Sequence, residues 1–345
     1  MKSRLLVGVF AAMGVLILIF DAATATAAAQ EALQLCIRVI IPSMFPFFVL
    51  INLLSNALVG SKTKWLTPLQ RLLKLSPGGA GLFLCGLLGG YPTGAHMIHE
   101  AWRSGALRQK NAQRMLTFCS NAGPAFLFGV VATQFTNVVT IWIIWFIHIY
   151  SSILVGMIYR KDDSAAPITI KKSPVSLTQA LRRSVEVMAY VCGWIILFRV
   201  LISFLSRWIF WAFPAEVEIA VISLLELANG CASLGQITNE GLRMIVASAA
   251  VNFGGICVMM QTASVTAGLH IGSYIKGKLL QTSFAVIMTV VAQFFLFAEM
   301  NRIKLTAVEI GCLILVFLLL LAIQPVTKIT VDFRRKLLYN ASRNK

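Results

Sequence analysis

The 345-residue chain has few charged side chains, and very few of them are acidic. Only 12% of its residues are Asp, Glu, Lys or Arg, which is about half the share found in water-soluble domains. By contrast, 58% of its residues are apolar, which argues against a soluble enzyme or a disulfide-stapled secreted domain. The composition predicts an all-α polytopic membrane protein that has the lipid bilayer as its surroundings.

Motifs for metal binding and for catalysis are also missing. The seven cysteines lie in apolar stretches, are odd in number and form no CxxC pair. Residues 230–235 miss the G-x-S-x-G spacing by one position, and neither a P-loop nor a paired-carboxylate site occurs. His96, His99 and Glu100 could share a helical face, but no further ligand is evident nearby. We therefore predict no metal, no cofactor and no enzymatic activity.

The basic residues are in excess but are arranged for membrane topology. The formal charge is +17, yet the Lys and Arg residues form short clusters between apolar runs, which disfavours nucleic acid as a partner. The positive-inside rule then places both termini and the clusters within residues 62–74 and 103–114 in the cytoplasm. Lys276 and Lys278 are assigned to the same side.

Six apolar runs are long and unbroken enough to be membrane helices. The first also fits a cleavable signal peptide, but its length favours an uncleaved helix. The runs cover residues 5–20, 32–59, 138–159, 186–206, 279–297 and 305–323.

Four further apolar stretches are interrupted by glycine, proline or asparagine, and they recur in the same order in two halves of the chain. We interpret 78–103 and 217–234 as re-entrant hairpins, and 115–135 and 242–267 as broken membrane helices. The second hairpin is predicted to break at Asn229-Gly230. The resulting fold has about eight crossings and two inverted repeats. Its segments are a first helix with a short outside loop (1–30), the first repeat (31–159), a cytoplasmic linker (160–178), the second repeat (179–298), and a last helix with a basic cytoplasmic tail (299–345).

The interruptions predict a polar site near the middle of the membrane. Unwound backbone in lipid needs partners for its N–H and C=O groups, and helix N-termini suit a carboxylate or another anion. The alternative is that these small residues only permit close helix packing. The predicted substrate-binding residues are Thr93, Gly94, Ser120, Asn121, Gly123, Pro124, Arg199, Asn229, Gly230, Ser233, Asn252 and Gly254.

Two charges inside apolar runs bear on this site. Arg199 could bind an anion and Glu226 could carry a proton or a cation, because charges at membrane depth face a partner or a cavity. The alternative is that Arg199 and Glu226 form an ion pair with each other, or that Arg199 extends towards the membrane surface.

Four strings are similar to a known family: residues 42–48 (PSMFPFF), 90–95 (GYPTGA), 118–126 (FCSNAGPAF) and 277–281 (GKLLQ). They resemble the YlbJ/SpoVV family of sporulation integral membrane proteins, within the nucleoside-recognition Gate group. The resemblance implies transport of dipicolinic acid from the mother cell across the outer forespore membrane by alternating access. Members of the family often carry lysine after the Gly-Ala of GYPxGA, where this chain has His96.

Two other functions stay open at this point. One is a carrier of nucleosides or another small metabolite, and the other is a non-transporting sporulation scaffold that binds partners through its basic loops. Both the dipicolinate carrier and the nucleoside or metabolite carrier could use a coupling proton or sodium ion, and both could form a homo-oligomer.

Overall fold

A computed structural model describes residues 2–60, 64–76, 78–160 and 175–297. These residues form helices and connecting turns, with no β-strand among them. Within the described ranges, five helices are long and apolar enough to cross a membrane. They are Ala22–Ser55, Val138–Ile158, Leu177–Trp208, Glu240–Val265 and Ile271–Phe294. The prediction of an all-helical polytopic membrane protein is confirmed, while the count of eight crossings stays a prediction.

The chain begins with three helices in succession. Helix α1 is Lys2–Phe20 and α2 is Ala22–Leu35, and a π-helical turn at Cys36–Ile40 leads directly into α3, Ile41–Gly60. A single turn residue, Asp21, separates α1 from α2, and the outside position of the short loop within residues 1–30 stays a prediction. Asp21 accepts a hydrogen bond from the backbone N–H of Thr24 at 3.3 Å and starts α2 there, since the alanines that follow favour helix.

The rest of the first half contains a helical hairpin and a broken helix, as predicted. After α4 (Thr67–Leu73), helices α5 (Gly79–Gly89) and α6 (Thr93–Arg103) pack against each other. Helix α7 (Gln109–Leu116) is followed by irregular backbone through Gly123. Helix α8 (Pro124–Phe126) then continues through a π-helical and a 3₁₀ turn to Gln134, and α9 is Val138–Ile158.

The second half presents its elements in the same order. They are α10 (Leu177–Trp208), a hairpin of α11 (Ala215–Leu225) and α12 (Leu227–Ser233), the pair α13 (Glu240–Phe253) and α14 (Gly255–Val265), and α15 (Ile271–Phe297). Most of the 160–178 linker and the run 305–323 lie outside the described residues.

One predicted break is misplaced. The second hairpin turns at Glu226, whereas Asn229 and Gly230 lie inside α12. The Glu226 carboxylate accepts hydrogen bonds from the first N–H groups of α12, so the helix starts just after it. At Gly254, by contrast, the predicted break is present. Its φ of +83° is left-handed, a backbone conformation that glycine adopts without strain.

Apolar side chains cover the outer faces of the long helices, and polar ones lie inside. This arrangement suits a protein surrounded by lipid, since polar groups in a membrane protein turn towards its interior. Exposed on α9, α10 and α15 are Trp142, Phe146, Leu197, Leu201, Val291 and Phe294.

Candidate functional site

A fully buried lysine lies at the centre of the described helices. Lys278 on α15 has 0% exposure, so its assignment to the cytoplasmic surface is wrong. Its Nζ donates to the Tyr91 hydroxyl at 3.0 Å, to Asn121 Oδ1 at 3.1 Å and to Gln281 Oε1 at 2.7 Å. Three acceptors match the three N–H bonds of a lysine ammonium group.

A glycine brings this lysine to the first helix break. A Cβ at Gly277 would overlap the backbone carbonyl of Thr117, so only glycine lets α15 approach the chain this closely. Thr117 begins the irregular segment that follows α7. The neighbouring Lys278 therefore faces Asn121, inside that segment.

The broken segment holds Asn121 through several hydrogen bonds. Its Oδ1 accepts from Lys278 and also from Gln281 Nε2 at 3.0 Å. Its Nδ2 donates to the carbonyl of Phe118 at 2.7 Å and to Ser152 Oγ at 3.4 Å. Both ends of this buried amide are thus satisfied, which fixes its orientation.

Asn252, at the end of α13, occupies the other side of Gln281. Its Oδ1 accepts from Gln281 Nε2 at 3.1 Å and from Ser151 Oγ at 2.9 Å, and lies 2.9 Å from His148 Nδ1. Its Nδ2 donates to the carbonyl of Ser248 at 2.8 Å. We call the connected set Tyr91, Asn121, His148, Ser151, Asn252, Lys278 and Gln281 the Lys278 network.

Several buried polar atoms beside this network lack a well-aligned hydrogen bond. They are Ser120 Oγ, His148 Nε2, Thr262 Oγ1 and Tyr274 Oη. The Tyr274 ring lies 5.9 Å from Lys278 Nζ, and its hydroxyl faces the side chains of Ser120 and Thr262. Unpartnered polar groups are rare in protein interiors. The three hydroxyl groups that face one another here are able to donate to a further acceptor as well.

A buried carboxylate lies where the second hairpin turns. Glu226 accepts from the backbone N–H groups of Ala228 at 3.0 Å and Asn229 at 2.6 Å, and from Asn229 Nδ2 at 2.7 Å. It lines a cavity of about 40 Å³ together with Tyr91, Gly123 and Gln261. The tip of the first hairpin, the first broken helix and the turn of the second hairpin therefore meet at one small cavity.

A larger cavity lies on the other side of the first hairpin tip. Its volume is about 550 Å³, within the range of roughly 300–1,000 Å³ typical of ligand pockets. We call it the vestibule. Tyr91 lines the small cavity and the next residue, Pro92, lines the vestibule. Other vestibule residues are Asn52, Thr93, His96, Glu100, Arg183, Glu186, Tyr190 and Ser264.

The structure separates the remaining predicted residues into two groups. Thr93 lines the vestibule, Gly123 lines the small cavity, and Gly254 faces the Tyr91 ring. The others make local contacts, and their role in binding stays a prediction. Gly94 packs against the carbonyl of Cys119, Gly230 packs against Ser223, Pro124 starts α8, and Ser233 Oγ donates to the carbonyl of Asn229.

Arg199 lies apart from the Lys278 network. Its Nε donates to Glu31 Oε2 at 3.1 Å, and Nη2 contacts the same oxygen, so Arg199 on α10 forms an ion pair with α2. The alternative of a pair with Glu226 is also wrong, because the Glu226 carboxylate is held by α12.

The predicted site did not include five residues of the network: Tyr91, His148, Ser151, Lys278 and Gln281. A signal for three of them was available, since Tyr91 lies in the family-like string 90–95, and Lys278 and Gln281 lie in the string 277–281. For the other two, the signal is a histidine and a serine three residues apart inside the apolar run of α9. That spacing places both on one helical face.

Comparisons with known proteins identify a related chain. No protein-family model matches, and no solved structure matches. The sporulation integral membrane protein YlbJ of Bacillus subtilis (strain 168) is 25% identical, over 75% of this chain and 75% of its own length. The chain is thus an integral membrane protein related to YlbJ, which confirms the resemblance predicted from its motifs.

Proposed function

We propose that this chain is a carrier of a small organic anion, and that the Lys278 network binds the anion. The observation that carries the proposal is the environment of Lys278. It is completely buried, and its three hydrogen-bond partners are neutral oxygen atoms. Within the described residues, no carboxylate forms a salt bridge with it.

Burying the charge of Lys278 is energetically unfavourable unless an opposite charge lies close to it. Taking a charge out of water costs several kcal/mol, and neutral acceptors compensate only part of that. A carboxylate bound beside Lys278 would supply the countercharge. The hydroxyl groups of Ser120, Thr262 and Tyr274, which lie beside Lys278, could donate to the same anion.

Dipicolinic acid is the substrate we propose, on the basis of the family resemblance. It carries two carboxylates on a planar aromatic ring, and the Tyr91 and Tyr274 rings lie 5.1 and 5.9 Å from Lys278 Nζ. Transport would run from the mother cell across the outer forespore membrane. The vestibule supports an alternating-access mechanism, because it reaches one side of the first hairpin tip while the network lies on the other.

The test is uptake of labelled dipicolinate by proteoliposomes. Lys278→Gln keeps a polar side chain of similar length but removes the charge. We expect uptake to fall on the order of ten- to a hundredfold, as for loss of a charge-assisted hydrogen bond worth about 1.5–3 kcal/mol. Lys276→Gln, two residues away on α15 and half-buried, is the matched control and should transport normally.

Other outcomes would redirect the proposal. Full transport by Lys278→Gln would place the anion site elsewhere. Uptake of nucleosides but not of dipicolinate would favour the nucleoside carrier. If the reconstituted protein transports neither, the scaffold alternative stands.

A further inference from the structure

We propose that Glu226 is a proton-binding site that couples proton entry to anion transport. This inference rests on the proposed function, since it assumes that an anion binds beside Lys278. The proposed proton site is the Glu226 carboxylate at the turn of the second hairpin, whereas the proposed anion site is Lys278 beside the first helix break.

Glu226 is placed close to the Lys278 network. Glu226 is 2% exposed and lies at the turn of the second hairpin, facing the small cavity that Tyr91 also lines. The Tyr91 hydroxyl in turn accepts the hydrogen bond from Lys278. One tyrosine therefore touches both the carboxylate's cavity and the lysine, and the cavity has room for only a few water molecules.

The negative charge of Glu226 would oppose the binding of an anion. The Glu226 carboxylate faces the cavity that Tyr91 lines, and Tyr91 also contacts the Lys278 amino group. An anion bound beside Lys278 would add a second negative charge to this low-dielectric interior, and the two negative charges would repel each other. Adding one proton to a Glu226 oxygen converts the carboxylate to a neutral carboxyl group and removes that repulsion.

The hydrogen bonds of the Glu226 carboxylate favour a proton over a sodium ion. The Glu226 oxygens already accept three N–H hydrogen bonds, from Ala228 and from the backbone and side chain of Asn229. Metal cations such as Na⁺ prefer a shell of oxygen atoms, and N–H donors around the carboxylate would repel one. A proton requires only a free lone pair on the carboxylate, and four such sites are available for three donors.

Within the described part of the chain, the titratable groups next to Glu226 are thiols and a phenol. The titratable side chains near Glu226 are the thiols of Cys36 on the π-helical turn, Cys231 on α12 and Cys257 on α14. The Tyr91 phenol faces the same cavity from the first hairpin. Among the described residues, no Lys, Arg or His forms a salt bridge with Glu226, so protonation breaks no ion pair.

A direct experiment measures protons taken up when the anion binds. Dipicolinate is added to purified protein in weak buffer with a pH indicator. We expect uptake of up to one proton per anion bound, the maximum that linkage allows for a single site. Glu226→Gln retains an oxygen that can cap α12 but cannot titrate, and it should bind dipicolinate with no proton uptake. Glu218→Gln, on α11 and bonded to Ser206, is the matched control.

Proteoliposomes supply the second readout. A pH gradient should accelerate dipicolinate uptake by the unmodified protein and by Glu218→Gln, whereas Glu226→Gln should retain substrate exchange without that acceleration. The inference would be overturned if the unmodified protein bound dipicolinate without taking up protons, or if a sodium gradient accelerated its uptake and a pH gradient did not. Unchanged proton coupling in Glu226→Gln would also overturn it. Absence of dipicolinate binding in the unmodified protein would overturn the proposed function itself.

Discussion

The side-chain oxygens of Asn121 and Asn252 accept hydrogen bonds from the same atom, Nε2 of Gln281, at 3.0 and 3.1 Å. Each asparagine belongs to the helix break of a different half of the chain. A single amide on α15 therefore ties the two breaks together. Any movement of one break relative to the other must exchange or lose one of these bonds.

This arrangement predicts a specific effect of Gln281→Leu. The change removes the shared donor and also one acceptor of Lys278. Buried polar groups left without partners cost about 1–3 kcal/mol each, so we expect a lower melting temperature in detergent and loss of dipicolinate uptake. Thermal unfolding and uptake are measured on the same preparation.

The control variant for Gln281→Leu changes the neighbouring residue on α15, Thr282. Thr282 Oγ1 bonds only the carbonyl of Lys278, within its own helix, so Thr282→Val should change neither stability nor uptake appreciably. If Gln281→Leu were as stable and active as Thr282→Val, the shared hydrogen bonds would have no role in either property.

The sequence was sufficient to predict the breaks that build this site. Asparagine, glycine and proline inside apolar runs indicated irregular backbone near Asn121 and Gly254, and those breaks occur where expected. The hairpin at 78–103 follows from the same logic, because its turn is a Gly-Tyr-Pro string between two short apolar helices.

Two features were beyond such reasoning for physical reasons. A lysine near the end of an apolar run looks like a topology signal, and only the packing of Gly277 against Thr117 turns Lys278 inward. The partner of Arg199 was equally hidden, because Glu31 lies far away in sequence and is brought near only by the packing of α2 against α10.

Gly123 and Asn121 give a second prediction. A Cβ at Gly123 would lie 3.0 Å from the carbonyl oxygen of Leu88 and 3.1 Å from the Gly90 backbone. Gly123→Ala therefore pushes the first break away from the first hairpin tip, and Asn121→Leu removes an acceptor of Lys278. We expect both variants to insert normally and to lose dipicolinate uptake. Lys171→Ala, in the linker outside the described residues, should not. Wild-type uptake rates in both site variants would make the breaks packing features only.

The vestibule gives a third prediction, on accessibility. It lies near the start of α10, which follows the basic linker that the positive-inside rule places in the cytoplasm. In a cysteine-free background, Thr93→Cys should react with a membrane-impermeant thiol reagent from the cytoplasmic side, and dipicolinate should slow the reaction. Ser120→Cys is the contrast, because Ser120 is completely buried and should stay unlabelled. Labelling of Thr93→Cys only from outside would reverse the assigned topology.

Lys110→Cys, in the basic cluster within residues 103–114, should also react from the cytoplasmic side.

The ion pair between Arg199 and Glu31 gives the last prediction. Their side chains are 28% and 60% exposed on helices that present apolar faces to lipid. Removing one partner leaves a single charge there, at roughly 3 kcal/mol on insertion scales, whereas removing both leaves none. Arg199→Leu and Glu31→Leu should each reduce the amount of inserted protein, and the double variant should recover most of it, since the pair acts as a unit. Because Arg199 lies outside the Lys278 network, dipicolinate uptake per inserted molecule should stay unchanged in the double variant. A loss of substrate affinity in the double variant, at normal insertion, would return Arg199 to the binding site.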